Sequence, residues 1–358
     1  MDKENLEKPI ILDNKIGNQK QDFNNLINSP SVKVIDEIDS ILEELYFVKN
    51  PERKFNSTEN DLDFLINKEL GIKLKKDFGK WVFYPWNNSL VHIPDKKEFE
   101  LLRTVRNRLL ITEKEQDKLQ NFTVGVLGLS VGNSIALSLC YSGISNKIKL
   151  ADPDKLSLSN LNRIRAKTTD IGLNKAVLAA HQIYEVNPYA EVEVYPNEIN
   201  NTNLEEFLDG VDLLIEEVDD FSLKILARLE AKKNKIPFIM VTDNAEIIML
   251  DIERYDINPN YPIFHGLAGD IENKTMENLT KEERVELATR IVGKENVTPR
   301  MSQSLREVGH SLVSWPQLAT TVFAGGGVGA YVAKQIALGN KISSKRFIIN
   351  IDEKLVDK

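Results

Sequence analysis

The chain has 358 residues, 42% of them hydrophobic, enough to bury one large core or a core with a smaller domain. Its net charge of −8 repels phosphate backbones, which argues against nucleic acid as a partner. The one cysteine, Cys140, excludes an internal disulfide and a multi-cysteine zinc site. The four histidines are scattered, the opening MDKENLEKPI is polar, and no stretch is apolar enough to cross a bilayer. The expectation is a cytoplasmic protein with no membrane partner.

Residues 1–60 are rich in Asn, Lys, Asp and Glu, and Asn and Asp favour turns. The apolar spacing from Ile35 to Phe47 predicts one amphipathic helix there, and Asp61 to Leu70 a second, shorter one. Trp81 to Tyr84 and Leu90 to Ile93, separated by Asn87-Asn88, read as a small hairpin. Residues 1–115 are therefore expected to form an accessory α+β N-terminal region.

The pattern changes after Gln116. Thr123 to Leu127 is an apolar strand closed by Gly128, Val131 to Tyr141 a helix, and Lys147 to Ala151 a strand closed by Asp152. The alternation continues with a helix over Asn174 to Val186, strands over Ala190 to Tyr195 and Val211 to Ile215, a helix over Phe221 to Asn234 and a strand over Pro237 to Val241. Glu246 to Tyr255 reads as a further strand, Asn258 to Glu277 as a loop and Lys281 to Val292 as a helix. Trp315 to Leu338 is a long apolar helix pattern interrupted by Gly325-Gly326-Gly327, and Arg346 to Ile351 is a terminal strand. Strands alternating with helices imply right-handed crossovers. Residues 116–358 are thus expected to be α/β, a Rossmann-like, doubly wound, mostly parallel sheet with helices on both faces. Ligands of such sheets bind beyond the carboxyl ends of the strands, which here carry Gly128, Asp152, Glu216 to Asp220 and Asp243.

Three features carry chemistry. Gly128-Leu-Ser-Val-Gly-Asn133 joins a strand to a helix, where glycine lets a backbone approach phosphate or ribose and the helix N-terminus favours negative charge. Of the G-x-G-x-x-G positions only Gly128 is kept, Ser130 and Asn133 standing at the others. Asp152 can accept hydrogen bonds from ribose hydroxyls. Behind it come Asn160, Arg163, Gly172 and Lys175, and two cations there suit a triphosphate better than a nicotinamide. The run Glu216-Glu-Val-Asp-Asp220 would repel such a ligand unless a magnesium ion lies between them; as a plain solvated charge run it needs no ligand at all.

In this order the Gly128 turn, Asp152-x-Asp154, Ser159-Asn-Leu-Asn-Arg163, Gly172-x-x-Lys175, Asn187-Pro188 and Asp219-Asp-Phe221 make the chain resemble the ThiF/MoeB/HesA family, the ubiquitin-activating-enzyme-like adenylyltransferases. Leu250-Asp-Ile-Glu-Arg254, His265-Gly266 and Trp315-Pro-Gln-Leu-Ala319 extend the resemblance to a branch often fused to a nitroreductase-like flavin domain. The resemblance implies an ATP cradle of Gly128, Ser130, Gly132, Asp152 and Asp154, with Asp152 on the ribose. Asn160, Arg163 and Lys175 would contact phosphates, and Asp219 would hold Mg2+. It also implies a homodimer sharing the ATP site, in which Arg106, or next Arg108, of the segment Arg103-Thr-Val-Arg106-Asn-Arg108 reaches the partner's phosphates.

The departures shape the expected reaction. The later loop glycines are replaced, the usual Asp-Asn is Asp219-Asp220, and a following arginine is Lys224. The downstream acyl-accepting cysteine is absent, because Cys140 lies in the first helix of the sheet domain as a small hydrophobe. The expectation is ATP-dependent adenylation of a carboxylate (a peptide C-terminus, a carrier protein or a small acid) with pyrophosphate release and no cysteine thioester. Phe264 to Gly269, with His265, and Trp315 to Gly327 are candidates for the substrate side, though Gly325 to Gly327 fit close helix packing better. The alternative is a non-catalytic nucleotide-binding dimeric scaffold beside a separate flavoprotein. A dinucleotide oxidoreductase is disfavoured by Arg163 and Lys175.

Overall fold

The computed structural model describes residues 6–55, 65, 66, 68, 71, 75–269, 271 and 281–356. The chain divides into one unit of residues 7–113 with 184–189 and another of residues 114–183 with 190–358.

In the N-terminal unit the segments flanking Asn87-Asn88 pair antiparallel as β3 (Lys80–Tyr84) and β4 (Ser89–Ile93), the hairpin expected from sequence. Two three-residue strands that the sequence did not announce extend it: β1 (Ile10–Leu12) beside β3 and β2 (Lys33–Ile35) parallel to β4. Alternation along β3 sends Trp81 and Phe83 to one apolar cluster, with Leu12 and Leu90, and Val82 and Tyr84 to another, with Ile93. Helices α1 (Gly17–Ile27), α2 (Ile38–Lys49) and α3 (Lys96–Thr104) complete the unit. Helix α2 is the helix read over Ile35 to Phe47, begun three residues later because Lys33–Ile35 is strand. The short helix expected over Asp61 to Leu70 lies outside the described residues, apart from residues 65, 66 and 68. His92 is buried, stacked on Trp81 and bonded at Nδ1 to Asp36 (2.8 Å) and at Nε2 to the Phe78 carbonyl (2.6 Å).

After α4 (Glu113–Gln120), the second unit carries β5 (Thr123–Leu127), α5 (Val131–Tyr141), β6 (Lys147–Ala151), α6 (Lys175–Val186), β7 (Glu191–Tyr195), the short α7 (Leu204–Leu208) and β8 (Leu213–Glu216). It continues through α8 (Phe221–Lys233), β9 (Phe238–Asn244), β10 (Ile247–Glu253), α9 (Lys281–Val292), α10 (Pro299–Glu307), α11 (Ala319–Leu338), β11 (Lys345–Asn350) and α12 (Asp352–Leu355). The seven strands run β11-β10-β9-β8-β5-β6-β7. Neighbours from β9 to β7 are parallel, while β10 and β11 add an antiparallel edge. The mostly parallel, doubly wound sheet expected from the alternation is therefore present. Because β6 and β8 flank β5, the crossovers part at β5 and open a crevice beyond its carboxyl end. Among the described residues no helix is long and apolar enough to cross a membrane.

Helix α5 is buried along nearly its whole length, and α11 lies against it. At Gly326 a Cβ would meet the Ser134 backbone and side chain at 2.8 Å, and at Gly325 the Val241 side chain at 2.9 Å, so these two glycines form a packing seam. Cys140 is buried in α5, as its reading as a small hydrophobe required.

This seam separates two neighbouring glycines. Gly326→Ala should cost about 1–3 kcal/mol by forcing the helices apart. Gly327→Ala, at a position where a Cβ meets nothing within 4 Å, should be neutral or stabilise by up to about 1 kcal/mol through helix propensity. Urea midpoints of the two variants check the contrast.

Candidate functional site

The site grows from the end of β5. Gly128 has φ +83°, and a Cβ there would lie 2.5 Å from the Glu217 carbonyl oxygen, so only glycine fits. The turn is bonded to both neighbouring strands. The Gly128 N–H donates to Ala151 O (2.8 Å), and the Glu217 N–H donates to Leu127 O (2.7 Å). Gly132, in the first turn of α5, lies against Val126, which a Cβ would meet at 2.9 Å.

Asp152, at the end of β6, is 5% exposed. Its two carboxylate oxygens accept from the backbone amides of Leu129 (2.7 Å) and Asp154 (2.8 Å). Burial raises its pKa, and Lys175 opposes the rise. Lys175, at the start of α6, reaches Asp154 Oδ2 at 2.7 Å and Asp152 Oδ1 at 3.9 Å. Asn174, a residue the motifs did not single out, sets this up. Its Oδ1 caps α6 through the Ala176 and Val177 amides, and its Nδ2 donates to the carbonyls of Asp152 and Asp154. An Asn directly before a helical pattern was the available signal.

Arg163 is half-buried, and burial lowers its pKa against the opposing charges of Asp243 and Asp219. Its Nε donates to Ser130 Oγ (3.1 Å), and its Nη1 to Asn162 Oδ1 (2.9 Å) and Ser159 O (3.4 Å). Nη2 has no hydrogen-bond partner among the described residues, so the guanidinium is anchored on one side and open on the other. The serine that replaces a loop glycine thus fixes the arginine. Asn160 serves locally: its Oδ1 accepts from the Ser157 N–H (3.0 Å) and caps the 3-10 turn Leu158–Asn162. Asn133 is buried, with Nδ2 donating to Gln182 Oε1 (2.8 Å) and Oδ1 without a partner.

The acidic run at the end of β8 divides by role. Glu216 is fully buried and paired with Lys224 (2.8 Å) and Arg228 (2.8 Å). Burial alone would raise its pKa, but these two cations outweigh it and hold the carboxyl below its usual value. Glu217 accepts from the Val241 N–H (2.6 Å), and burial, with Glu216 beside it, pushes its pKa well up. Asp220 caps α8 through the Leu223 N–H (2.6 Å). That leaves Asp219 as the exposed carboxylate not taken up by the fold. No group of three or more His, Cys, Asp or Glu among the described residues is arranged to hold a metal ion. Nearby, Asp243 near the end of β9 is 4% exposed and accepts from Gln317 Nε2 (2.9 Å).

Behind the strand ends lies an ion network that sequence reasoning missed. Arg228 is completely buried between Phe238 and Phe264 and bonded to Glu216 and to Glu253 (2.9 Å). His265, read as a substrate-side candidate, is bonded at both ring nitrogens, to Tyr261 Oη (2.9 Å) and Asp251 Oδ1 (3.0 Å). Arg346 forks onto Asp251 (2.6 and 2.7 Å) and also donates to Ile291 O. Burial would raise Asp251, but Arg346 and His265 prevail and hold it at about 2. Trp315 is partly exposed, whereas Phe264 is packed inside. The loop expected over Asn258 to Glu277 is described only as far as Gly269, and at residue 271.

Arg106 and Arg108 lie in the N-terminal unit, at the 3-10 turn Val105–Asn107, both exposed. They line a groove of 740 Å³ with Phe47, Val48 and Leu109. Arg108 pairs with Glu113 (3.1 Å).

A family model described as the ThiF family matches residues 104–294. Over 282 residues the chain is 38% identical to the uncharacterized protein MT1398 of Mycobacterium tuberculosis, covering 79% of this chain and 39% of that protein. Over 163 residues it is 32% identical to the tRNA threonylcarbamoyladenosine dehydratase of Bacillus subtilis, covering 43% and 64%. Over 156 residues it is 28% identical to a probable molybdopterin-synthase adenylyltransferase of Porphyra purpurea, covering 42% and 40%. The chain spans less than two thirds of each of these relatives. Among solved structures, SeMet PaaA shares the fold with a TM-score of 0.54 and 21% identity over 71% of this chain and 80% of that one.

Two outcomes follow from the ion network. Arg228→Met should cost about 3–5 kcal/mol, read from urea midpoints, because Glu216 and Glu253 would stay buried without their shared cation. Asp251, depressed from 3.8 to about 2, contributes stability that is full above about pH 4 and is lost as pH falls towards 2. Arg346→Met should therefore lose about 2 kcal/mol at neutral pH, with the gap to wild type closing between pH 4 and 2.

Proposed function

The chain belongs to the ThiF family, and on that premise we propose that it binds ATP at the carboxyl ends of β5, β6 and β8 and uses it to adenylate a carboxylate. The observation that carries this reading is Arg163, fixed through Nε and Nη1 and open at Nη2, at a strand-end crevice whose other polar groups include Lys175, Asp152 and Asp219. Asp152 accepts from ribose hydroxyls, while Arg163 and Lys175 donate to phosphate oxygens. The Lys175 ammonium has three donors, so it can keep Asp154 while it meets a phosphate.

A carboxylate oxygen of the substrate attacks the α-phosphorus and forms the new P–O bond. The bond from that phosphorus to the bridging oxygen breaks, pyrophosphate leaves with the electron pair, and an acyl-adenylate remains. The chain contributes position and charge rather than covalent chemistry. Asp219 fits a magnesium ion carried in by the triphosphate, because the remaining carboxylates of its run are engaged in the fold. Such an ion would neutralise charge developing on the leaving pyrophosphate. With Cys140 buried in α5, the adenylate passes to an amine, hydroxyl or water rather than to a thiol of this chain. The substrate is a peptide C-terminus, a carrier protein or a small acid, and Arg106 of a second copy completes the phosphate contacts. The replaced loop glycines suggested a non-catalytic scaffold, but the Ser130 bond to Arg163 gives that replacement a role in the site.

Isotope exchange of pyrophosphate into ATP with candidate acids tests the reading. Lys175→Ala and Asp219→Ala should each lower exchange on the order of a hundredfold; unchanged exchange in both would remove the site. Mixing Arg106→Ala with Lys175→Ala protomers should restore part of the activity, and no recovery would exclude the shared site.

A further inference from the structure

Asp243 and Gln317 are not among the ATP contacts proposed above, yet both are tied to one of them. Asp243 Oδ1 accepts from Gln317 Nε2 at 2.9 Å, and its Oδ2 is buried without a hydrogen-bond partner. The carbonyl of Gln317 accepts from Asn162 Nδ2 at 2.9 Å. Asn162 Oδ1 in turn accepts from Arg163 Nη1 at 2.9 Å. Asp243 belongs to β9 and Asn162 to the turn after β6, with β8 and β5 between those strands in the sheet. Gln317 therefore braces two sides of the strand-end crevice from the segment that leads into α11. A second tie reinforces the brace, because the Arg165 guanidinium sits 4.7 Å over the Phe323 ring of α11.

A buried carboxylate oxygen without a partner is costly and is retained only where something offsets it. Burial raises the pKa of Asp243, and the Gln317 hydrogen bond and the Arg163 charge oppose the rise; Asp243 is in turn the first of the charges that support the Arg163 guanidinium against burial. We propose that Asp243 and Gln317 are positioning residues for Arg163: Gln317 is a strut from the end of β9 to Asn162, and the strut fixes Arg163 with Nη2 left to donate to the bound nucleotide's phosphates. The residue types fit these roles. An amide can donate to a carboxylate while its own backbone carbonyl accepts, whereas a glutamate at 317 would face Asp243 with like charge. A strut of this kind acts on the phosphate end of the ligand and leaves the nucleoside end alone.

This inference rests on the ATP reading above, and calorimetry with ATP and with adenosine separates the two. Gln317→Ala should weaken ATP about tenfold, the lower end of what a hydrogen bond to a charged group is worth because the lost bond acts on the ligand only through Arg163, and leave adenosine unchanged. Asp243→Asn keeps an oxygen for Gln317 Nε2 and should lose no more than about threefold, as expected when the bond survives and only its charge is removed. In an Arg163→Ala background, Gln317→Ala should cost nothing further, because the strut acts through Arg163. Three results would overturn the inference: unchanged ATP affinity in Gln317→Ala, equal losses of ATP and adenosine, or the full Gln317→Ala penalty persisting without Arg163. If the wild-type chain takes up no ATP, the nucleotide reading falls and takes this inference with it. If it does and the variants match it, this inference falls alone.

Discussion

The site depends on the close approach of Gly128 to the backbone of Glu217 and Val218. Strands β5 and β8 end side by side, and the chain leaving one must pass the chain leaving the other without a side chain between them. A positive φ and the absence of a Cβ make that passage possible. From this contact the turn places the Leu129 amide on Asp152 and starts α5 against Val126. The loops after β5, β6 and β8 are thereby brought to one crevice.

Charge is then distributed by burial. A row of carboxylates at a strand-end crevice looks self-repelling, but most of them are committed elsewhere. Glu216 belongs to a buried network with Lys224, Arg228 and Glu253, Glu217 bridges to β9, and Asp220 caps α8. A buried ion network of this kind is weak as a source of net stability, yet its geometry is demanding. Here it joins β8, α8 and β10, and so fixes the backing against which the strand-end loops sit.

The parts legible in the sequence were those with strong local signals. From Thr123 to Leu338 the apolar periodicity located the strands and long helices to within a few residues, because each buries a face of regular period. Asp152, Arg163 and Lys175 were legible for a different reason: their types and spacing suit a nucleotide, and the fold brings Asp152 and Lys175 within 3.9 Å. The N-terminal strands β1 and β2 were not legible. Each has three residues and exists through partners distant in the chain, Leu12 beside Trp81 and Val34 beside Leu90. Helix α1 has no fully buried residue, so its pattern is faint.

Chain-local chemistry therefore determined the fold class, the crevice at the strand ends and the nucleotide-suited residues, because periodicity and residue type are properties of short segments. Tertiary structure decided which of those residues the fold itself engages. Asp219 is left exposed while its neighbours are consumed, His265 is held between Tyr261 and Asp251, and Asn160 closes its own turn. Gln317 and Asp243, remote in sequence from Asn162, are bonded into its surroundings only by the folded chain. Such pairings follow from which strands lie adjacent and how closely α11 packs on α5, and neither is written in any one segment.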